Sequence, residues 1–170
     1  TENARDVVAF QDLGEPSPYR TNFFKPSNGQ ADNNANTLYT QVIQAPGSRD
    51  IGNVVSSLQA LGLKGRVDFE KTFARKLNPA EFTFNPQLGF ISVNTQLQPD
   101  DVIGVAFEYT NNGKVYQIGE FAQNLPPDST NPKVLFLKML KSTSPDPTVP
   151  LWDLMMKNVY ALGASGVSKE

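Results

Sequence analysis

Acidic side chains are the main reagents this sequence offers. Its 170 residues include no histidine and no cysteine. A Ser-His-Asp triad or an imidazole base cannot be assembled without them, and zinc sites of the usual ligand sets are excluded. Thiolate nucleophiles and disulfide frameworks fall away for the same reason. Carboxylate chemistry remains, and a glycosidase needs only two such groups. Asp68, Glu70, Asp100, Asp101, Glu108, Glu120 and Asp153 are available, but no spacing selects a pair. Acids in turns and on solvated strand faces are ordinary, so the expectation is a chain that is not an enzyme and uses no cofactor.

Two binding chemistries remain to be weighed. Asp32, Asn34 and Asn36 stand at alternate positions, as the first three ligands of a calcium loop do. The pattern then breaks, with Thr37 where that loop needs glycine and Ile43 where it needs glutamate. An Asn-rich turn is the better reading, and no metal is expected. Gly62-Leu63-Lys64-Gly65 is a helix end and a turn, not a phosphate cradle. Tyr19, Phe23, Phe24 and Tyr39 lie in and around a polar segment, where exposed rings would stack on sugars. The competing reading is that these rings anchor a long loop onto the core.

Net charge is −2 with pI near 5.2, and the basic residues are scattered singly, so no nucleic-acid partner is expected. The longest uninterrupted apolar run, from Val134 to Leu137, is strand-sized. It falls far short of the ~18 residues a membrane-spanning helix requires, so no direct membrane insertion is expected and the chain reads as soluble. The chain opens on Thr1-Glu2-Asn3 without a signal-peptide pattern, which suggests a piece of a longer protein. Thirteen prolines and twelve glycines describe short elements joined by many turns.

The elements that would hold these residues begin with a strand from Asp6 that ends at Gly14. Residues 15–36 are rich in Pro, Asn and Gly and read as the least ordered part. Leu38 to Ile43 is a strand or a single helical turn. A helix over 48–62 follows from Ser48 as N-cap, Asp50 in the first turn, and the stripe Ile51, Val54, Val55, Leu58 and Leu61. Phe82-Thr83-Phe84 and Phe90-Ile91-Ser92-Val93 flank a turn through Asn85-Pro86-Gln87 and predict a hairpin.

Ile103, Val105, Phe107 and Tyr109 alternate along one strand with a core-facing side. Asn112-Gly113 supplies a type I′ turn into Lys114 to Ile118. Lys133 to Leu140 is apolar on both faces and predicts a central, covered strand. Pro150 opens a helix over 150–162 with two apolar stripes: Leu151, Leu154, Met155, Val159 and Leu162 in one, Trp152, Met156 and Tyr160 in the other. The fold class predicted is α+β, mainly β: an antiparallel β-sandwich, jelly-roll-like, with one or two packed helices, forming a single domain over 1–170.

Several blocks carry a resemblance. They are Ala74-Arg75-Lys76-Leu77-Asn78-Pro79-Ala80-Glu81-Phe82, the run Phe84 to Asn94, the run Gly104 to Thr110, the run Asn112 to Phe121, and Leu151-Trp152-Asp153-Leu154-Met155-Met156-Lys157-Asn158-Val159-Tyr160. In them the second half of the chain resembles the SprA (Sov) family, the giant outer-membrane component of type IX secretion and gliding motility. The resemblance implies a soluble, non-catalytic module of a protein-export channel at the outer membrane or cell surface. Its partners would be the remainder of its own parent polypeptide and other secretion components. The proposed contact is the tail over 149–170, through Trp152, Met155, Met156 and Tyr160. Asp128-Ser129-Thr130 is similar to a short O-glycosylation acceptor of bacterial surface proteins. The alternative function is a carbohydrate- or surface-ligand-binding sandwich acting through Tyr19, Phe23, Phe24 and Tyr39.

Overall fold

The computed structural model describes residues 4–156. Strand β1 (Ala4–Phe10) lies inside a four-stranded sheet, antiparallel to β2 (Phe69–Arg75) on one side and parallel to β8 (Leu135–Lys141) on the other. The short β5 (Ile103–Val105) closes the far edge against β8. Both middle strands are the β-branched and aromatic runs of the sequence, as expected for positions covered on both faces.

Side-chain alternation divides the sheet into two faces. Val8 and Phe10 of β1, Phe69 of β2 and Phe136 of β8 point to one side. There they meet α1 (Leu38–Gln44) through Leu38 and Val42, and α2 (Val54–Ala60) through Val54 and Leu58. The Phe10 and Phe136 rings meet edge-on with centroids 5.5 Å apart. On the opposite side Ala9 and Met139 are covered by Val149 and Leu151 in a smaller core. Full burial of each large apolar side chain contributes about 1.5–3 kcal/mol, so the helix-covered face carries most of the stability.

The mainly-β α+β class stands, but the strands do not make a jelly roll. The β1–β8 pairing is parallel. The other four strands form separate two-stranded ribbons: β3 (Phe82–Asn85) with β4 (Phe90–Val93), and β6 (Phe107–Asn111) with β7 (Lys114–Ile118). Both expected hairpins form. Asn112 and Gly113 adopt φ of 50° and 76°, the positive angles a type I′ turn requires.

Three local readings change. The helix expected over 48–62 starts only at Val54, because Asp50 forms a bridge with Lys133 and the Arg49 carbonyl accepts the Val134 N–H, which hold this backbone to the sheet. The strand expected through Tyr109 splits at Ala106, with β5 serving the central sheet and β6 leaving to pair with β7. Its supposed core face is accordingly incomplete, and Phe107 is exposed. Of the helix expected over 150–162, the described part is a 3₁₀ turn at Pro150–Leu154, with Met155 extended. Only Val149 and Leu151 find core positions there, and so short a helix depends on such packing. Tyr160 and the rest of that helix lie outside the described residues.

The segment over 15–36 is pinned by the polar residues that mark it as a loop. Asn36 is buried, donates to the carbonyls of Asp12 and Glu15, and accepts the Leu38 N–H at the start of α1. Asp12 accepts the N–H groups of Tyr19 and Arg20 at 2.7 and 2.9 Å. Buried Asn33 pairs with both the N–H and the C=O of Gly119.

Gly119 joins β7 to the central sheet at φ 72°, and an added Cβ would sit 3.0 Å from both Ala106 Cβ and the Val105 carbonyl oxygen. At Gly113, also at positive φ, an added Cβ meets open space. Gly113→Ala should therefore show only the left-handed penalty of about 1–2 kcal/mol. Gly119→Ala should add a crowding cost of about 1–3 kcal/mol. Urea unfolding of the two variants side by side checks the difference.

Candidate functional site

The densest cluster of charged and polar side chains sits where β7, α1 and the turn before α2 converge. Glu120 follows directly on Gly119, and its buried carboxylate is fixed by four donors. Arg49 Nη2 donates to Oε1 at 2.5 Å and Arg49 Nη1 to Oε2 at 2.7 Å, a bidentate fork. The Tyr39 hydroxyl donates to Oε1 and the Phe136 N–H to Oε2, both at 2.9 Å. A carboxylate offers about four lone-pair sites, so this one is full. Arg49 also donates to the Val134 carbonyl and lies 4.0 Å above the Phe136 ring. The cluster thus ties the turn before α2 to the central strand β8.

The electrostatics follow from this geometry. Burial works against the Arg49 charge, but its bonds to Glu120 and the attraction of that carboxylate hold the guanidinium above its ordinary value. Arg5 lies close enough to feel both, and burial sets its guanidinium below the usual value. Burial first, and then the neighbouring Glu120 charge, push the Tyr39 phenol up to about 12.

A folded-state pKa raised above the unfolded value gives stability that is complete below the unfolded pKa. Here that contribution should be present below pH 10 and disappear as pH climbs through about 12. Tyr39→Phe cannot ionise, so the gap between its urea midpoint and that of the natural protein should narrow across this range. A constant gap would place the Tyr39 phenolate outside the cluster.

Beside the cluster lies an open cleft of about 440 Å³. Tyr39, Arg49 and Glu120 line it together with Asp32, Asn34, Gln117, Asn124 and Leu125. Asp32 is oriented by the N–H groups of Asn34 at 2.8 Å and Gln117 at 3.3 Å. Of the four rings considered for stacking, only Tyr39 lines this cleft. Phe23 is 1% exposed and belongs to the main core, the anchoring role rather than the stacking one. Tyr19 and Phe24 are exposed away from the cleft lining.

Two of the other candidate acids are structural. Buried Asp68 accepts Arg20 Nε at 2.8 Å and the Lys64 N–H at 2.7 Å. Buried Glu70 accepts both the N–H and the hydroxyl of Thr143. Asn36 uses its side chain inward, so Asp32, Asn34 and Asn36 do not converge. Among the described residues no three acidic side chains are placed to hold a metal. In the tail, Trp152 and Met155 are half-buried and Met156 is exposed.

A second feature lies on the ribbon β3–β4. The cross-strand pairs Phe82 with Val93 and Phe84 with Ile91 place four apolar side chains on one face. Phe84 is 55% exposed and Leu88, in the connecting turn, 75%. Phe73 on β2 is 67% exposed, two residues before Arg75, whose bidentate bond to Glu81 anchors the ribbon. Sequence reading identified this hairpin but not its bare face, since alternation shows which residues share a side and not whether anything covers it.

Among the described residues no helix is long and apolar enough to cross a membrane. No family model matches the chain, and no curated protein matches it.

Proposed function

We propose that this chain is a non-catalytic interaction module of a large outer-membrane protein-export channel of the SprA type, docked on the remainder of its own parent polypeptide. The observation that carries this reading is the uncovered apolar face of the β3–β4 ribbon, with Phe84 and Leu88 in water. A two-stranded ribbon is marginal on its own and becomes stable when a third strand or a packed surface covers its apolar side. An apolar ribbon face left in water marks an interaction site. The ribbon coincides with two of the sequence blocks that resemble the family, the runs 74–82 and 84–94. The non-catalytic part is supported by Asp68, Glu70 and Glu120, whose carboxylates are engaged in structural hydrogen bonds.

The module is tested by the double substitution Phe84→Ser, Leu88→Ser. Truncating central apolar anchors typically costs 2 kcal/mol or more, so docking on the purified remainder of the channel should weaken by more than about thirtyfold. The unfolding free energy of the isolated chain should stay within about 0.5 kcal/mol, because both side chains are exposed. Unchanged docking would remove the ribbon from the interface.

A further inference from the structure

We propose that the cleft beside Glu120 is a binding site for an uncharged saccharide, a function separate from ribbon docking. The lining sets the hydrogen-bonding side chains of Asp32, Asn34, Gln117 and Asn124 beside the Tyr39 ring and Leu125, the mixture of polar and apolar surface that a sugar itself presents. Formal charge selects further. Arg49, the one cationic side chain of the lining, is already forked onto Glu120, which leaves Asp32 as the one charged group not held in an ion pair. No unpaired positive charge awaits an anion, whereas a neutral polyol finds donors and acceptors side by side.

The polar groups are also held before any ligand arrives. Glu120 is saturated and fixes Tyr39 and Arg49. Asp32 is aimed by two backbone N–H groups, which leaves acceptor capacity free on both of its oxygens. Gln117 donates its amide N–H to Gly119, so its carbonyl oxygen is held in a fixed orientation. Such preorganisation lowers the entropy lost on binding. The side chains of Asn34 and Asn124 are exposed at the cleft and make no hydrogen bond among the described residues, which suits them to meet hydroxyl groups. A volume of about 440 Å³ lies within the range of small-ligand pockets and admits one or two sugar rings. The Tyr39 ring and Leu125 give the C–H face of such a ring an apolar surface.

The test is amide NMR of the intact chain titrated with neutral hexoses, N-acetylhexosamines and their disaccharides, beside inorganic phosphate, citrate and calcium chloride. A neutral sugar should cause saturable shifts at Asn33, Asn34, Gln117 and Asn124. Asn34→Ala combined with Asn124→Ala, at exposed positions that leave the fold intact, should weaken binding at least about tenfold. Phe84→Ser, Leu88→Ser should bind as the natural chain does, which separates this site from the docking ribbon. Saturable shifts with phosphate, citrate or calcium alone, shifts confined to other surfaces, or no saturable shift with any sugar would each overturn the assignment.

Discussion

Glu120→Ala is expected to destabilise the chain by about 3–5 kcal/mol, the usual consequence of removing one partner from a buried ion pair. The Tyr39 hydroxyl and the Phe136 N–H lose their acceptor at once, and the Arg49 guanidinium keeps only the Val134 carbonyl. Each unsatisfied buried donor carries a desolvation cost of about 1–3 kcal/mol, more where it is charged, so the sum reaches the upper part of this range. For a chain of this length the melting temperature should fall by roughly 6–20 °C. Replacing Glu120 and Arg49 together should cost less than the two single changes added, because no lone charge then remains inside. Thermal unfolding of the three variants checks this, and strict additivity would mean that the fork contributes nothing of its own.

Phe136→Ala should have an effect of similar size, about 3–5 kcal/mol, through a cavity in the main core. The ring is fully buried, meets Phe10 edge-on and lies beneath the Arg49 guanidinium. Its loss therefore combines missing dispersion contacts with a loosened Arg49–Glu120 fork. Neighbours that share a partner couple by about 0.5–3 kcal/mol, so a double-mutant cycle of Phe136→Ala with Arg49→Ala should depart from additivity. Gly119→Ala acts at the residue before Glu120 and should perturb the same junction by crowding rather than by loss.

Elements whose signals are local were legible in the sequence. Asn112-Gly113 dictates a turn whatever surrounds it, and the two-sided apolar run of 133–140 could only be an inner strand. Errors arose where distant segments compete for the same backbone. Ser48 and Asp50 carry good helix-start chemistry, yet Lys133 and Val134, some eighty residues away, hold residues 49 and 50 to the sheet. Gly119 approaches Ala106 and interrupts a strand that periodicity draws as continuous. Loop composition over 15–36 was correctly recognised, but Asn33, Asn36 and Asp12 fold inward as the bonds that order it.

The cleft was hidden for the same reason. Its residues come from four stretches, around 32–34, 39, 49 and 117–125, and no spacing rule joins them. Glu120 was one acid among seven, and nothing in its surroundings in sequence pairs it with Arg49, which lies 71 positions earlier. Tyr39, one of the four rings considered for stacking, lines the cleft, whereas Phe23 shows the limit of that signal: a ring in a loop is as suited to anchoring it as to meeting a ligand. The bare face of β3–β4 becomes visible only once the covered faces are known.

The central claim, that the chain works by docking its exposed ribbon on an export channel, is tested most directly by a photo-crosslinking residue placed at Leu88 within the intact parent protein in cells. Leu88 is 75% exposed and tolerates the exchange without a core penalty. The account predicts adducts to a β-barrel segment of the export channel, and the same residue placed at exposed Ser56 on α2 should give none. Adducts found only with copies of this same segment, only with proteins outside the envelope, or with no protein at all would contradict it.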